Sequence, residues 1–304
     1  MGARPGGRRQ KTHANAARCG GAAPGWGGDN LAMTSNLPSH PAPLRLLALD
    51  TSTDRMSVAV GDGVPGGVAF FHEGPGAAQS SANLLPAVGA LLAQAHWALG
   101  DLDALVLTRG PGSFTGVRTA CAAAQGLAYG AQAQGRSGGV PVLPVDSLLA
   151  LAEEARAARV AAGERVPPLI VALLDARMGE MYAAVYACVD GALVVEAVVA
   201  PSLCAPADLA SWLPVGHGEA DVLLAGNVFD TYAEALSALP GLRQEAWPTA
   251  SALLRLAPGL LAAGKAVEAQ HVMPLYVRDK VAQTTDERER LRLAALARPA
   301  PEAP

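Results

Sequence analysis

The sequence predicts an α/β protein of two lobes, each built on a mixed sheet, and three observations carry that reading. The 304 residues exceed what one ordinary core fills, which sets the expectation at one large two-lobed unit or two domains of about 100–150 residues each. The ordered chain opens with three short apolar runs separated by turn residues and then alternates helix-period with strand-period segments. From Leu169 the order strand, acid-bearing turn, strand, turn, strand returns, which points to a duplicated fold.

Residues 1–43 are rich in Gly, Ala, Pro and Arg without a hydrophobic period and are predicted to be a disordered basic extension. They are acidic-poor like an organelle transit peptide, but Gly and Pro spoil an amphipathic helix; initiation at Met33 is the simpler account. The first lobe is expected over 44–160. Leu44 to Leu49 reads as a strand ending in Asp50-Thr51-Ser52-Thr53, followed by strands at Met56 to Val60 and Val68 to Phe71 across Gly-containing turns. Between Ser80 and Trp97, Leu84, Leu85, Val88, Leu91, Leu92 and Ala95 fall on a helical stripe, with Pro86 tolerable only in a first turn. A buried strand at Ala104 to Thr108, a small-residue helix from Thr115 to Tyr129, a strand at Val140 to Val145 and a helix from Asp146 to Arg159, capped by Asp146 or Ser147, complete the lobe.

The second, smaller lobe is expected over 161–285. Its strands read at Leu169 to Leu174, Met181 to Cys188, Leu193 to Val199 and Val222 to Ala225, with helices near Pro206 to Trp212 and Ser251 to Ala263. Residues 286–304 alternate charge with Leu and Ala and are predicted to be a flexible tail.

Apolar stretches stop well short of the roughly 20 residues that span a bilayer, so no membrane helix is predicted. Cys19, Cys121, Cys188 and Cys204 form no C-x-x-C pair and no signal-peptide core opens the chain, so reduced thiols in the cytoplasm are expected. Net charge is −4, yet residues 1–32 carry five basic groups against Asp29, leaving the body near −8. Such a body grips nucleic acid poorly, because duplex affinity comes from counterions released by clustered Lys and Arg. No H-x-x-x-H or H-E-x-x-H spacing occurs, so no helix face offers two imidazoles to one metal and no metal site is predicted. No G-x-S-x-G elbow marks a serine nucleophile.

Three segments can carry chemistry. Gly110-Pro111-Gly112-Ser113-Phe114-Thr115-Gly116-Val117-Arg118 lies between a strand and a helix. Its glycines and the helix amides suit an anion, while the same residues also make a tight turn capped by Ser113 or Thr115; neither phosphate-loop fingerprint is met. Asp50-Thr51-Ser52 could face a metal-bound phosphate or close a hairpin as an Asx turn. Asp175-Ala176-Arg177-Met178-Gly179-Glu180 occupies the equivalent turn of the second lobe; Asp175 could hold a cation or act as a base, with Arg177 pairing a partner's acid, or the two could bond each other.

Taken in order, Leu49–Thr53, Gly110–Arg118, Asp175–Tyr182 and Pro274–Gln283 resemble the TsaB family, also called YeaZ, with the likeness running from about Leu44 to Arg288. The resemblance implies an actin/Hsp70/sugar-kinase-like (ASKHA) fold and a non-catalytic subunit that activates the paralogue TsaD. TsaD transfers threonylcarbamoyl to N6 of adenosine 37 in ANN-decoding tRNAs, TsaC supplies threonylcarbamoyl-AMP, and TsaE joins the complex. It further implies a heterodimer with TsaD, a homodimer in its absence, tRNA contact only through the complex, and no intrinsic cofactor beyond an adenine nucleotide at the TsaD interface. Candidate interface residues on the two first-lobe helices are Leu84, Leu85, Val88, Leu92, Ala120, Ala123, Ala124 and Leu127. Relatives often have His where Ser80 stands. Two rival readings, a glycoprotease-type metallopeptidase and a small-molecule kinase, would require a histidine pair and an intact second-lobe adenosine motif; Ala225-Gly226-Asn227 is only a remnant of the latter.

Overall fold

The computed structural model describes residues 43–64, 67, 69–213 and 218–278, all within one compact unit, Asn36–Pro304. The extension through residue 42, with Cys19, His13 and His40, the 279–283 end of the C-terminal motif and the 286–304 tail lie outside the described residues.

Two five-stranded sheets share one topology. Strands β1 (Leu46–Asp50), β2 (Arg55–Gly61) and β3 (Ala69–Pro75) form an antiparallel meander, and β4 (Ala104–Gly110) and β5 (Val142–Asp146) add in parallel on the other side of β1, giving the order β3-β2-β1-β4-β5. The second sheet repeats this with β6 (Leu169–Asp175), β7 (Met181–Val189), β8 (Ala192–Cys204), β9 (Val222–Gly226) and β10 (Leu242–Glu245), in the order β10-β9-β6-β7-β8. Both sheets are mixed, as the sequence predicts.

The helices are α1 (Ser80–Ala95), α2 (Phe114–Ala133), α3 (Ser147–Ala161), the one-turn α4 (Ala233–Leu236) and α5 (Ala250–Ala262). Central strands are buried on both faces, so their side chains divide by parity. Leu46 and Ala48 of β1 point into a core shared with α3, α5 and the inner face of the second sheet, where Ile170, Ala172 and Leu223 meet them. Leu47 and Leu49 face an outer core under α1 and α2, and Leu169, Val171 and Leu173 face a third beneath the 3-10 turn Pro206–Trp212.

Several details depart from the sequence reading. Pro86 is the seventh residue of α1 rather than part of a first turn, because the helix already begins at Ser80 and packs on β2 and β3 through Leu84, Ala87, Val88 and Leu91. Asp146 is the N-cap residue of α3, but its carboxylate leaves the helix end and accepts from Arg109 Nε at 2.7 Å. Pro206–Trp212 is a 3-10 turn, and α4 and β10 have no apolar period to announce them. Helix α5, placed by sequence in the second lobe, packs on β1, β2, β4 and β5 as well as on α3. Beyond it Val267 pairs with Val142, so the chain returns to the first sheet before residue 285.

Candidate functional site

Parallel β1 and β4 both end at one edge of the first sheet, and β6 and β9 at the corresponding edge of the second. The turns that follow these strands face each other across a cleft of about 650 Å³. Ser52, Thr53, Gly112, Ser113 and Thr115 line it from the first lobe, and Asp175, Arg177, Met178 and Asn227 from the second.

The two first-lobe motifs fit against each other. Ser113 N donates to Ser52 O at 2.7 Å, and Thr51 Oγ1 donates to Gly116 O at 2.7 Å. Ser113 also caps α2, accepting from Gly116 N at 3.3 Å. A Cβ at Gly116 would run into Thr51 O and one at Gly112 into Ser52 O, so these glycines serve a close backbone approach. Thr115 lines the cleft, its carbonyl accepting from Thr119. Arg118 is turned away: its guanidinium lies 3.5 Å over the Phe114 ring and Nε donates to Tyr276 Oη at 2.7 Å. Gly110, with φ +114°, allows Leu275 to pass, and Leu275 N donates to Arg109 O at 2.7 Å.

Asp50 is fully buried beneath the cleft floor. Its Oδ1 accepts from Thr108 Oγ1 and from Ser52 Oγ, while Oδ2 has no protein partner. Burial outweighs these hydrogen bonds and pushes the carboxyl up to about 6.

In the second lobe, Asp175 Oδ1 accepts from Tyr232 Oη at 3.0 Å and Arg177 N at 2.9 Å, and Oδ2 pairs with the Arg177 guanidinium at 3.2 Å. Asn227 Oδ1 accepts from Asp175 N at 2.9 Å. Burial, then the bond to Asp175, pushes the Tyr232 phenol up to about 12, so it stays a donor. Arg177, Met178 and Gly179 all have left-handed backbone, φ +63°, +59° and +78°. For the two non-glycine residues this costs about 1–2 kcal/mol each. Thr108, Tyr232 and Trp247 were not legible as site residues, because nothing in their local sequence sets them apart, while Phe114, Asn227, Tyr276 and Arg278 lie in segments that the sequence singles out without giving these side chains a role.

A nucleotide would fit the cleft by volume, but the hydroxyls and amides of the two first-lobe motifs bond largely to one another, and among the described residues the cations lining the space are Arg177 and Arg278, both engaged by carboxylates. These groups do not make a phosphate cradle unaided. Among the described residues no group of three or more His, Cys, Asp and Glu side chains is placed to hold a metal.

Most of the predicted interface residues are corrected by burial. Leu84, Val88, Leu92, Ala120 and Ala124 are at most 8% exposed, because the apolar stripe of each helix faces its own sheet. Ala123 and Leu127 are half-buried against the same core, and Leu85 alone of the eight is exposed. The outward faces instead carry Ala82, Leu85, Gly89 and Ala93 on α1, and Arg118, Ala122, Gly126 and Tyr129 on α2.

Two sheets of identical strand order, each ending in an acid-bearing turn at a shared cleft, define the two-lobed ASKHA class to which actin, Hsp70 and the sugar kinases belong. A family model described as "TsaD: tRNA N6-adenosine threonylcarbamoyltransferase" matches residues 75–285. The Escherichia coli K12 tRNA threonylcarbamoyladenosine biosynthesis protein TsaB is 32% identical over 257 residues, covering 79% of this chain and 96% of the relative. The Haemophilus influenzae protein of the same name is 39% identical over 139 residues, 46% of this chain and 52% of the relative. The solved structure of YeaZ from Pseudomonas aeruginosa superposes with a TM-score of 0.62 at 34% identity, covering 77% of this chain and 99% of that one. The chain belongs to the TsaB (YeaZ) family.

Proposed function

We propose that this chain is a non-catalytic subunit of the cytoplasmic machinery that makes threonylcarbamoyladenosine at position 37 of ANN-decoding tRNAs. It binds and activates TsaD, in a complex that TsaE joins and for which TsaC supplies threonylcarbamoyl-AMP. What supports a role in this pathway is membership of a family whose Escherichia coli and Haemophilus influenzae relatives are tRNA threonylcarbamoyladenosine biosynthesis proteins.

The observation that carries the partner role lies on the outward faces of α1 and α2. Gly89 and Gly126 sit inside these helices, where glycine costs about 1 kcal/mol relative to alanine, yet a Cβ at either would meet nothing within 4 Å. Packing within the chain gives no reason for them. With Ala93 and Ala122 beside them and Leu85 and Tyr129 as large apolar anchors, they suit close approach by helices of a second subunit: TsaD, or a second copy of this chain in its absence. Contact with tRNA is then made by the complex. An adenine nucleotide is held jointly with TsaD, since the first-lobe hydroxyls and amides at the cleft bond largely to one another. Titrating ADP calorimetrically into this chain, into TsaD and into the mixture tests that point, with heat expected chiefly from the mixture.

The deciding experiment is threonylcarbamoyladenosine formation on tRNA with TsaC, TsaD and TsaE, run with this chain, without it, and with this chain but no TsaD. Activity is expected only where this chain and TsaD are both present. Modification without TsaD would make the chain itself the transferase, and activity independent of this chain would remove it from the pathway.

A further inference from the structure

The segment after α5 crosses from one lobe to the other along the cleft. Val272 is buried under α2, where its carbonyl accepts from Gln125 Nε2 at 3.1 Å, and Leu275 is bonded to the end of β4. Tyr276 receives the Arg118 hydrogen bond, and its ring lies 5.4 Å from that of Phe114. Two residues later Arg278 is on the second lobe, paired through Nη2 with Glu180 Oε2 at 2.5 Å. The same Nη2 donates to Arg177 O at 3.3 Å, and Nη1 lies 3.3 Å from Met178 Sδ. Arg278 thus touches two residues of the left-handed turn, Arg177 and Met178, and Glu180 just beyond it, although Asp175 and Tyr232 also hold this segment.

We propose that Val272–Arg278 is a latch: anchored on the first lobe by Tyr276 and on the second by Arg278, it holds the Arg177–Gly179 turn in its left-handed form and so fixes that lip of the cleft. Left-handed backbone at two adjacent non-glycine residues persists only where surrounding contacts over-determine it. Withdrawing Arg278 removes the contacts to Arg177 O, Met178 and Glu180 together, and the turn is then free to open. The lip and the strap form one two-state element, and a partner that engages Tyr276 would release a turn it does not touch.

Hydrogen exchange of the full chain tests this through two variants. With Arg278→Ala, amides of 176–180 are expected to exchange about tenfold faster while β6 and β7 stay protected, and Arg278→Lys should recover part of that protection. Tyr276→Ala, which removes the contacts to Arg118 and Phe114 of the first lobe, should accelerate the same amides. Unchanged exchange of 176–180 in Arg278→Ala would show that Asp175 and Tyr232 suffice to hold the turn. A response to Arg278→Ala without one to Tyr276→Ala would show a local ion pair and no latch. Either result overturns the proposal. If Arg278→Ala exposes β6 and β7 as well, the strap is a general structural support, and that too overturns it.

Discussion

The carboxyl of Asp50 gathers three hydrogen bonds on one oxygen and none from the protein on the other. With its folded pKa near 6, above the ordinary carboxylate value, the folded protein binds the Asp50 proton more tightly than the unfolded chain. Its contribution is therefore present below about pH 4 and is lost as pH rises toward 6, a loss of about 1–3 kcal/mol. Urea unfolding across pH 4–7 should show this slope in the native protein and lack it in Asp50→Asn; identical slopes would place the Asp50 carboxyl at an ordinary pKa. At Gly116, an added Cβ meets the Thr51 carbonyl, which is backbone and has little room to move. Gly116→Ala should cost about 1–3 kcal/mol in thermal unfolding. Both motifs were legible as motifs, but their partners were not. Thr108 lies 58 residues from Asp50, Tyr232 lies 57 from Asp175, and Arg278 lies 98 from Glu180. Local sequence cannot rank such pairings, and the choice between anion cradle and tight turn hung on them.

Each first-lobe helix has two functions on opposite sides. Leu84→Ala removes a side chain that is 1% exposed and should cost about 2–5 kcal/mol. Leu85→Asp, on a side chain 53% exposed, should leave the melting temperature nearly unchanged while weakening capture of TsaD. The glycines give a sharper test. Gly126→Ala is expected to stabilise the isolated chain by about 0.5–1 kcal/mol, whereas Gly126→Leu should fold normally and lose TsaD in size-exclusion chromatography. Retained binding by Gly126→Leu would move the interface elsewhere. The 3.6-residue period located α1 and the run of small residues located α2, but an apolar stripe marks the face a helix buries in its own protein. The stripe thus led to Leu84, Val88 and Leu92, while Ala120 and Ala124 stand out only as small residues that permit close approach, a property that does not tell the two faces of α2 apart.

The two lobes are joined through more than a hinge. Residues of both sheets, α3 and α5 share one core, and a largely buried ion network crosses it. Glu153, 3% exposed, accepts from Arg156 Nε and Nη2 on its own helix and from Arg255 Nε on α5, while Glu154 pairs with Arg255 and Thr249. Glu153→Gln leaves the partly buried Arg156 guanidinium without its carboxylate and Arg255 with Glu154 alone, and should cost about 2–4 kcal/mol in urea unfolding. Cooperative loss of both lobes in one transition is expected, because α3 and α5 belong to the core between them.

The order of strands and helices apart from α4 and β10, the duplication and the family were determined by the sequence itself, because alternation of period 2 and 3.6 and short turn motifs are local properties of a chain. Which hydroxyls bond to each other, which helix face remains outward, and how Val272–Arg278 ties one lobe to the other were decided only by the tertiary structure. Those outcomes depend on groups far apart in the chain meeting at a few ångströms, and burial settles them once both sheets have closed on a common core.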